Sequence, residues 1–374
     1  MRKLPESLVV PDYENSIVNL SSWILKNFGI DSGSPLDLDI GFDRVGLIIL
    51  DAFGYTAWEK VKRFYSPKNL PDPNAVTSVF PSTTTAALTS IFTASKPAEH
   101  GMLGYILFLK EFGFLVNMID LAPVGYQRDL LKDRMDFRLK VKTVFERLKE
   151  IGVLSSVLIP SRYMQSGFSK MLHAGAKVVG YTSIGDFLHK FSSLLSREGR
   201  RLVVGYVPNV DSVGHKESER AYLTEAAMIL SQIDRLVAKS VPKKSVLVIT
   251  ADHGMVRTPR DGEVWWGPDS PVMDFLCMPP GGERRMMHLY TRRSDDLLDF
   301  LEENHAQKGV FLKKDEALEL FGGDNERIGD VVLVALENNS FNFKYRFEED
   351  SLRGMHGGLS RDEMLVPLFY LPGS

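Results

Sequence analysis

Several acidic and imidazole side chains in this sequence fall directly after apolar runs. Asp51 ends Val-Gly-Leu-Ile-Ile-Leu and precedes Ala52-Phe53-Gly54. Asp252-His253-Gly254 ends Val-Leu-Val-Ile-Thr-Ala, and Asp211 and His215 follow Leu-Val-Val-Gly-Tyr-Val. If those runs are strands of an open α/β sheet, their carboxyl ends share one edge, where ligands bind. Carboxylates gathered there would repel one another unless cations neutralised them. Mixed carboxylate and imidazole ligation suits zinc or manganese. His356, in Met-His-Gly-Gly, is a further ligand candidate, because its glycines permit close backbone approach. Each residue also has a plainer reading. Asp after a strand is ordinary turn chemistry, and Asp-x-x-x-His also describes a helix start with an exposed His. The joint placement at three strand ends is what points to a metal centre.

A nucleophile candidate lies in Phe80-Pro81-Ser82-Thr83-Thr84-Thr85, ahead of the helical run Ala86–Ala94. A helix cap is the simplest account of these hydroxyls. The same geometry suits a phosphate, since a helix start offers free N–H groups and positive potential. A threonine bound to zinc there could lose its proton near neutral pH and attack. Residue types alone do not choose among the four.

The elements that must position these groups are visible as short apolar runs rich in β-branched residues. They are Val45–Leu50, Val153–Ile159, Leu202–Val207, Val246–Thr250, Met286–Tyr290, Val331–Leu336 and Val366–Leu371. Continuous apolarity predicts strands covered on both faces, in a parallel or mostly parallel sheet. Between them, Val141–Ile151 and Thr224–Val237 carry helical stripes. The alternation predicts a doubly wound α/β fold. The Pro- and Gly-rich stretch 258–282, with Trp265-Trp266, is too long for an ordinary connection. With the elements that follow, it predicts a small α+β insertion, a cap over 256–350 within one domain spanning 1–374.

Composition narrows the function classes. The chain has 374 residues, 44% hydrophobic and 25% charged, as ordinary globular proteins do. Its net charge of −3 offers no basic field for nucleic acid. The single cysteine, Cys277, excludes an internal disulfide and is expected to be a buried, small apolar residue. The N-terminal residues lack the apolar stretch of a signal peptide, and no segment approaches the roughly 20 apolar residues of a membrane helix. The expectation is a soluble cytoplasmic protein with no membrane partner.

Together these pieces resemble the alkaline phosphatase superfamily, most closely its type I phosphodiesterase/nucleotide pyrophosphatase branch. The matching segments, in the family's order, are Ile48–Gly54, Ser78–Thr85, His100–Tyr105, Asp211–His215, Thr250–Met255 and Met355–Gly358. The resemblance implies an alkaline-phosphatase-like fold, a central mostly parallel sheet between helices. It also implies two divalent cations, zinc or manganese. Asp51, Thr84, Asp252 and His253 would hold one, and Asp211, His215 and His356 the other. Thr84 would be the nucleophile, because it takes the fifth position of the F-P-x-x-T pattern. The substrate would be a small phosphate ester or nucleotide, cleaved at a phosphodiester or pyrophosphate bond through a threonine ester.

One position departs from the pattern. Many members have an asparagine five residues after the His of the His-Gly segment, where it helps hold a phosphate oxygen. This chain has Tyr105, whose phenol can donate one hydrogen bond. His100 itself is expected to order its loop. No Arg follows within four residues of Thr84 to clamp a dianionic terminal phosphate, so diesters are expected to outrun monoesters unless a cation arrives from the insertion. The rival readings are a phosphomonoesterase or phosphomutase of the same superfamily, and a metal-stabilised binding protein without turnover.

Overall fold

The apolar runs become strands of a seven-stranded sheet in a computed structural model that describes residues 4–131, 139–345 and 352–373. Its order is Asn74–Thr77, Leu365–Pro372, Ser245–Thr250, Arg44–Leu50, Arg201–Val207, Leu154–Pro160 and Lys177–Tyr181. The five strands from Ser245–Thr250 to Lys177–Tyr181 are mutually parallel. Leu365–Pro372 runs antiparallel and carries Asn74–Thr77 at the edge. All of Ser245–Thr250 is buried, as is Arg44–Leu50 after its first residue, which explains why neither reads as alternating. Helices cover the sheet. Among the described residues none is long and apolar enough to cross a membrane.

Helix boundaries follow the caps rather than the stripes. The helix expected over Val141–Ile151 spans Val144–Glu150, because Thr143 accepts the Glu146 N–H and Glu146 reaches back in a capping box. Val141 therefore lies outside it, and Ile151 is exposed beyond its end. The Thr224–Val237 stripe belongs to a longer helix, Glu219–Leu236, which starts at an N-cap on Ser218 and leaves Val237 as its C-cap.

A second, antiparallel seven-stranded sheet runs in the order Gly309–Lys313, Val331–Ala335, Met286–Leu289, Gly281–Gly282, Ile106–Leu109, Phe114–Asn117 and Ala122–Pro123. It owns a small core that includes Trp266, Phe311, Phe341, Leu297 and Leu301. Trp266 packs that core, while Trp265 stays near the surface between Arg284 and Lys344. Cys277 corrects the expectation of burial. It is exposed, because Phe275–Pro280 runs outside this sheet, tied to it by the Cys277 N–H to Tyr290 carbonyl bond of 2.8 Å. His100 holds its loop as expected, through Ser90 Oγ at 2.9 Å and the Met102 N–H at 3.1 Å.

The sheet and its helical layer meet closely at Gly205, mid-strand. A Cβ there would intrude on the Phe187 ring of the Ile184–Leu195 helix. That contact seats the strand delivering Asp211. Gly205→Val is expected to lower unfolding stability by about 1–3 kcal/mol, since a packed core pays for overpacking with strain. Equal urea midpoints for parent and variant would contradict this.

Candidate metal centre

Asp51 stands one residue beyond the Arg44–Leu50 strand, and Asp252-His253 stand just beyond Ser245–Thr250, its neighbour in the sheet. All three side chains are buried. His253 Nε2 lies 3.5 Å from both Asp51 Oδ1 and Asp252 Oδ2. Its Nδ1 lies 2.8 Å from the Gly254 carbonyl, so Nδ1 carries the proton and the Nε2 lone pair faces the carboxylates. Asp252 Oδ1 accepts the Ala52 and His253 N–H groups at 3.1 and 3.0 Å. Tyr206 donates its hydroxyl to Asp51 Oδ2. Ala52 is held at a φ of 58°, a left-handed value that costs a non-glycine residue about 1–3 kcal/mol. Hydrogen bonds at both of its backbone ends, from Tyr222 and to Asp252, hold it there.

Asp211 and His215 lie one turn apart on the Asn209–Lys216 helix, which starts after the Arg201–Val207 strand. Asp211 Oδ1 is 3.1 Å from His215 Nε2 and 3.7 Å from His356 Nε2. His215 Nδ1 lies 2.7 Å from the Gly354 carbonyl, which leaves Nε2 toward the cluster. The His356 ring bridges the two groups. It stacks on His253 with centroids 4.0 Å apart, and its Nε2 lies 3.2 Å from that of His215. Within each triad, Asp51–Asp252–His253 and Asp211–His215–His356, potential ligand atoms lie within 4.8 Å of one another.

The electrostatics of this assembly are unfavourable without a counter-charge. Burial, then the charges of Asp252 and Asp211, pushes the Asp51 carboxyl well above the usual range. Burial raises Asp252 too, against the pull of His253 and the Ala52 amide. Burial, then the neighbouring His253 and His215, holds the His356 imidazole well below its usual value. Asp51 Oδ1, Asp252 Oδ2, Asp211 Oδ1 and His356 Nδ1 are buried and lack a hydrogen-bond partner. Orphaned oxygens beside imidazole lone pairs form a donor set that fits divalent cations such as zinc or manganese.

The four hydroxyls ahead of the Thr84–Thr93 helix have four different fates. Ser82 Oγ donates to the Gly358 carbonyl at 2.7 Å and accepts the Gly357 N–H. Thr83 occupies the N-cap position, but its hydroxyl makes no cap and donates instead to Glu283 at 2.7 Å. Thr85 is buried in the helix. Thr84 faces the cluster, its Oγ1 3.2 Å from His253 Nε2.

A cleft of about 620 Å³ opens over Thr84, Asp211, His215 and His356. Tyr105 lines it, and its phenol oxygen accepts from Asn117 at 2.6 Å, which leaves the O–H to donate elsewhere. Phe343 and Tyr345 form an aromatic wall. Glu283 and Arg284 also line the cleft and escaped sequence reading, as did Asn117 and Tyr206. The one signal for the first pair was Gly281-Gly282 just before a strand, which carries no chemistry of its own.

Burial pushes the Glu283 carboxyl up to about 7, against the Thr83 and Tyr105 bonds that favour its charged form. A carboxyl raised above its unfolded value of 4.5 adds stability that is complete below that value and lost as pH rises through about 7. In the metal-free protein, Glu283→Gln should therefore gain stability relative to the parent as pH rises from about 5 to about 8. A pH-independent gap between the two melting temperatures would contradict the assignment.

Residues 69–359 match the family described as type I phosphodiesterase / nucleotide pyrophosphatase. No curated protein matches the chain. Among solved structures, murine ectonucleotide pyrophosphatase/phosphodiesterase 5 superposes with a TM-score of 0.66 at 17% identity, with 88% of each chain covered. An inactive threonine-to-alanine variant of that protein in complex with AMP gives 0.64 at 15% identity, with 87% of each covered. Phosphonoacetate hydrolase from Sinorhizobium meliloti, in complex with phosphonoacetate, gives 0.64 at 19% identity, covering 87% of this chain and 89% of its own. At such identities the likeness is one of fold, and it is alkaline-phosphatase-like. The family match over most of the sequence carries the rest: the chain is an enzyme of the type I phosphodiesterase/nucleotide pyrophosphatase family, metal-dependent phosphoester hydrolases of the alkaline phosphatase superfamily.

Proposed function

We propose that this enzyme cleaves phosphodiester or nucleotide pyrophosphate bonds with two cations, most simply zinc, and a threonine ester intermediate. The observation that carries the reading is the position of Thr84: of four adjacent hydroxyls, its oxygen alone faces the buried cluster. Asp51, Asp252, His253 and Thr84 would hold one cation, and Asp211, His215 and His356 the other. When bound, the pair would supply Lewis-acid stabilisation of the in-line attacking and leaving oxygens and lower the proton affinity of a bound hydroxyl or water. Thr84 Oγ1 forms a bond to phosphorus as the ester's leaving oxygen departs, and water then hydrolyses the threonine ester. Tyr105 donates its O–H to a non-bridging phosphate oxygen, the place an asparagine takes in many relatives. The AMP-bound relative, inactive with a threonine changed to alanine, supports the same assignment.

The described elements of the expected insertion, 256–345, act as a cap along one side of the cleft. From that region comes Arg284, the cation whose arrival would alter the diester preference expected from the sequence. We read it as the contact for a second anionic group beyond the scissile phosphate, which favours a nucleotide pyrophosphate over a plain aryl diester. The same guanidinium is the observation that favours the rival reading, because it would also suit the dianion of a monoester. Phe343 and Tyr345 offer faces for a base or another ring.

Two measurements test these roles. Chelation should abolish turnover, with zinc or manganese restoring it. Thr84→Ala should lose at least about a thousandfold in kcat while Thr84→Ser keeps a measurable part, and Thr83→Ala and Thr85→Ala should be far milder. Near-parental turnover by Thr84→Ala would remove it as nucleophile. For specificity, kcat/KM should be higher for a dinucleoside pyrophosphate than for an aryl monoester. Arg284→Met should cost the pyrophosphate about tenfold or more and an uncharged-tail diester little, since a charged hydrogen bond contributes about 1.5–3 kcal/mol. Release of free phosphate from the monoester as the fastest reaction would support the phosphomonoesterase instead.

A further inference from the structure

Arg285 and Glu363 form an ion pair with no solvent exposure on either side chain. Arg285 Nε and Nη2 donate to the two Glu363 oxygens at 3.1 and 2.8 Å, and Nη1 donates to the Asn339 carbonyl. Burying two such charges is costly unless they are well hydrogen-bonded, and here each Arg285 nitrogen and each Glu363 oxygen has a partner. Glu363 also accepts the Gly358 N–H at 2.8 Å, the Ser360 N–H at 3.2 Å and the Ser360 hydroxyl at 2.5 Å. Burial alone would push its carboxyl up, yet Arg285 and these donors hold it below the usual range.

What this pair touches sets it apart from a buried ion pair that merely fills a core. Gly358 is two residues after His356. The backbone carbonyl of the same Glu363 accepts the N–H of Gly254, the residue after His253, at 2.8 Å. One residue therefore grips the loop of each triad, one by its side chain and one by its backbone, and His253 and His356 are the rings that stack between the triads. The fit leaves no slack. A Cβ on Gly358 would stand 3.0 Å from Glu363 Oε2, and one on Gly254 would collide with the Asp362 carbonyl oxygen. Arg285 comes from the second sheet, where its carbonyl accepts the Ala335 N–H and the next residue opens the Met286–Leu289 strand.

We propose that the Arg285–Glu363 pair is the positioning element that sets the spacing of the two cation triads and couples their occupancy to the seating of the second sheet on the first. This rests on the reading of the triads as cation sites. Glu363 touches neither substrate nor cation; it acts through Gly254 and Gly358. Because coupling is reciprocal, cations that favour the spacing the pair enforces must also tighten the attachment of the second sheet.

The test uses the full chain stripped of metal, with zinc alone as probe. Zinc affinity and stoichiometry come from competition with a chromogenic chelator, and hydrogen exchange of the Met286–Leu289 and Val331–Ala335 amides is followed with and without zinc. The parent is expected to take up two zinc ions, with exchange in both strands slowed. Glu363→Asp keeps the charge but is one methylene too short to reach Arg285 and Gly358 together. It should weaken zinc binding about tenfold or more, as disruption of a supporting group around a metal site does, and lose most of the exchange protection. Arg285→Lys, which keeps charge but not the fork, should fall between. Parent-like zinc affinity in a Glu363→Asp variant with native circular dichroism would overturn the proposal while leaving the cation reading intact. If that variant does not fold, Ser360→Ala and the parent alone decide. Ser360→Ala should weaken zinc binding measurably, and unslowed exchange in the zinc-loaded parent would overturn the coupling. A parent that binds no zinc would overturn the cation reading and the proposal together.

Discussion

Three carboxylates gathered at one sheet edge, two of them buried and the third half-buried, are the constraint on which the rest of this structure depends. Asp51, Asp252 and Asp211 arrive at the ends of three adjacent parallel strands, where the sheet excludes water but leaves its crevice open. Burial, then the charges of Asp252 and Asp211, pushes the Asp51 carboxyl well above the usual range. The surroundings are arranged around keeping the cluster ready for positive charge. Backbone carbonyls fix the tautomers of His253 and His215 so that lone pairs turn inward. Tyr206 takes up one Asp51 oxygen, and Ala52 accepts backbone strain so that its amide can take one from Asp252. Such strain persists only where surrounding hydrogen bonds over-determine it.

The hydroxyl-rich turn shows how a fold divides chemically similar neighbours. Ser82 secures the His356 loop, Thr83 meets Glu283, and Thr85 is enclosed by its own helix. The remaining one, Thr84, is left to face the cluster from the first helical position. Helix geometry separates successive side chains by about 100°, so at most one of three consecutive threonines can point into a small site. The capping that residue types suggested is absent at this helix: the Thr83 hydroxyl is turned toward Glu283, to which it donates, and meets no helix amide.

The run Glu283-Arg284-Arg285 joins the two sheets across the cleft. The run forms the hairpin turn between Gly281–Gly282 and Met286–Leu289, and this change of direction lets it reach Thr83, the cleft and Glu363 within three positions. Asp51, Asp252-His253 and Asp211 with His215 follow strands of the first sheet, His356 follows the short Gly354–Met355 strand, and much of the cleft wall comes from the second sheet. The two sheets are held in register by a shared apolar core, which joins Ile48 and Val248 of the first to Leu107, Met286, Val332 and Val334 of the second, and by buried polar contacts beside the cleft.

The strands and the order of the ligand motifs were legible from the chain alone. Central parallel strands must be apolar on both faces, and Val246–Thr250 and Leu202–Val207 announce themselves by unbroken apolarity. Asp252-His253 and Asp211-x-x-x-His215 could be read because an ionisable group directly after such a strand lands at one predictable edge. Helix starts were less clear. The stripe at Val141 looked helical, but a Thr143–Glu146 capping box decides the boundary three residues later. Glu283, Arg285 and Glu363 were illegible for a further reason: a charge in a polar-looking stretch has no period that points to a distant partner, and the one local pattern here, the Ser360–Glu363 capping box, gives no hint of Arg285. Glu363 finds Arg285 78 residues away, and Thr83 finds Glu283 across 200. The sequence by itself determined which residues could bind cations, because that depends on local type and strand position. Only the tertiary structure decided which hydroxyl faces them, which charges are buried in pairs and what lines the cleft, because those depend on contacts between segments that no local pattern relates.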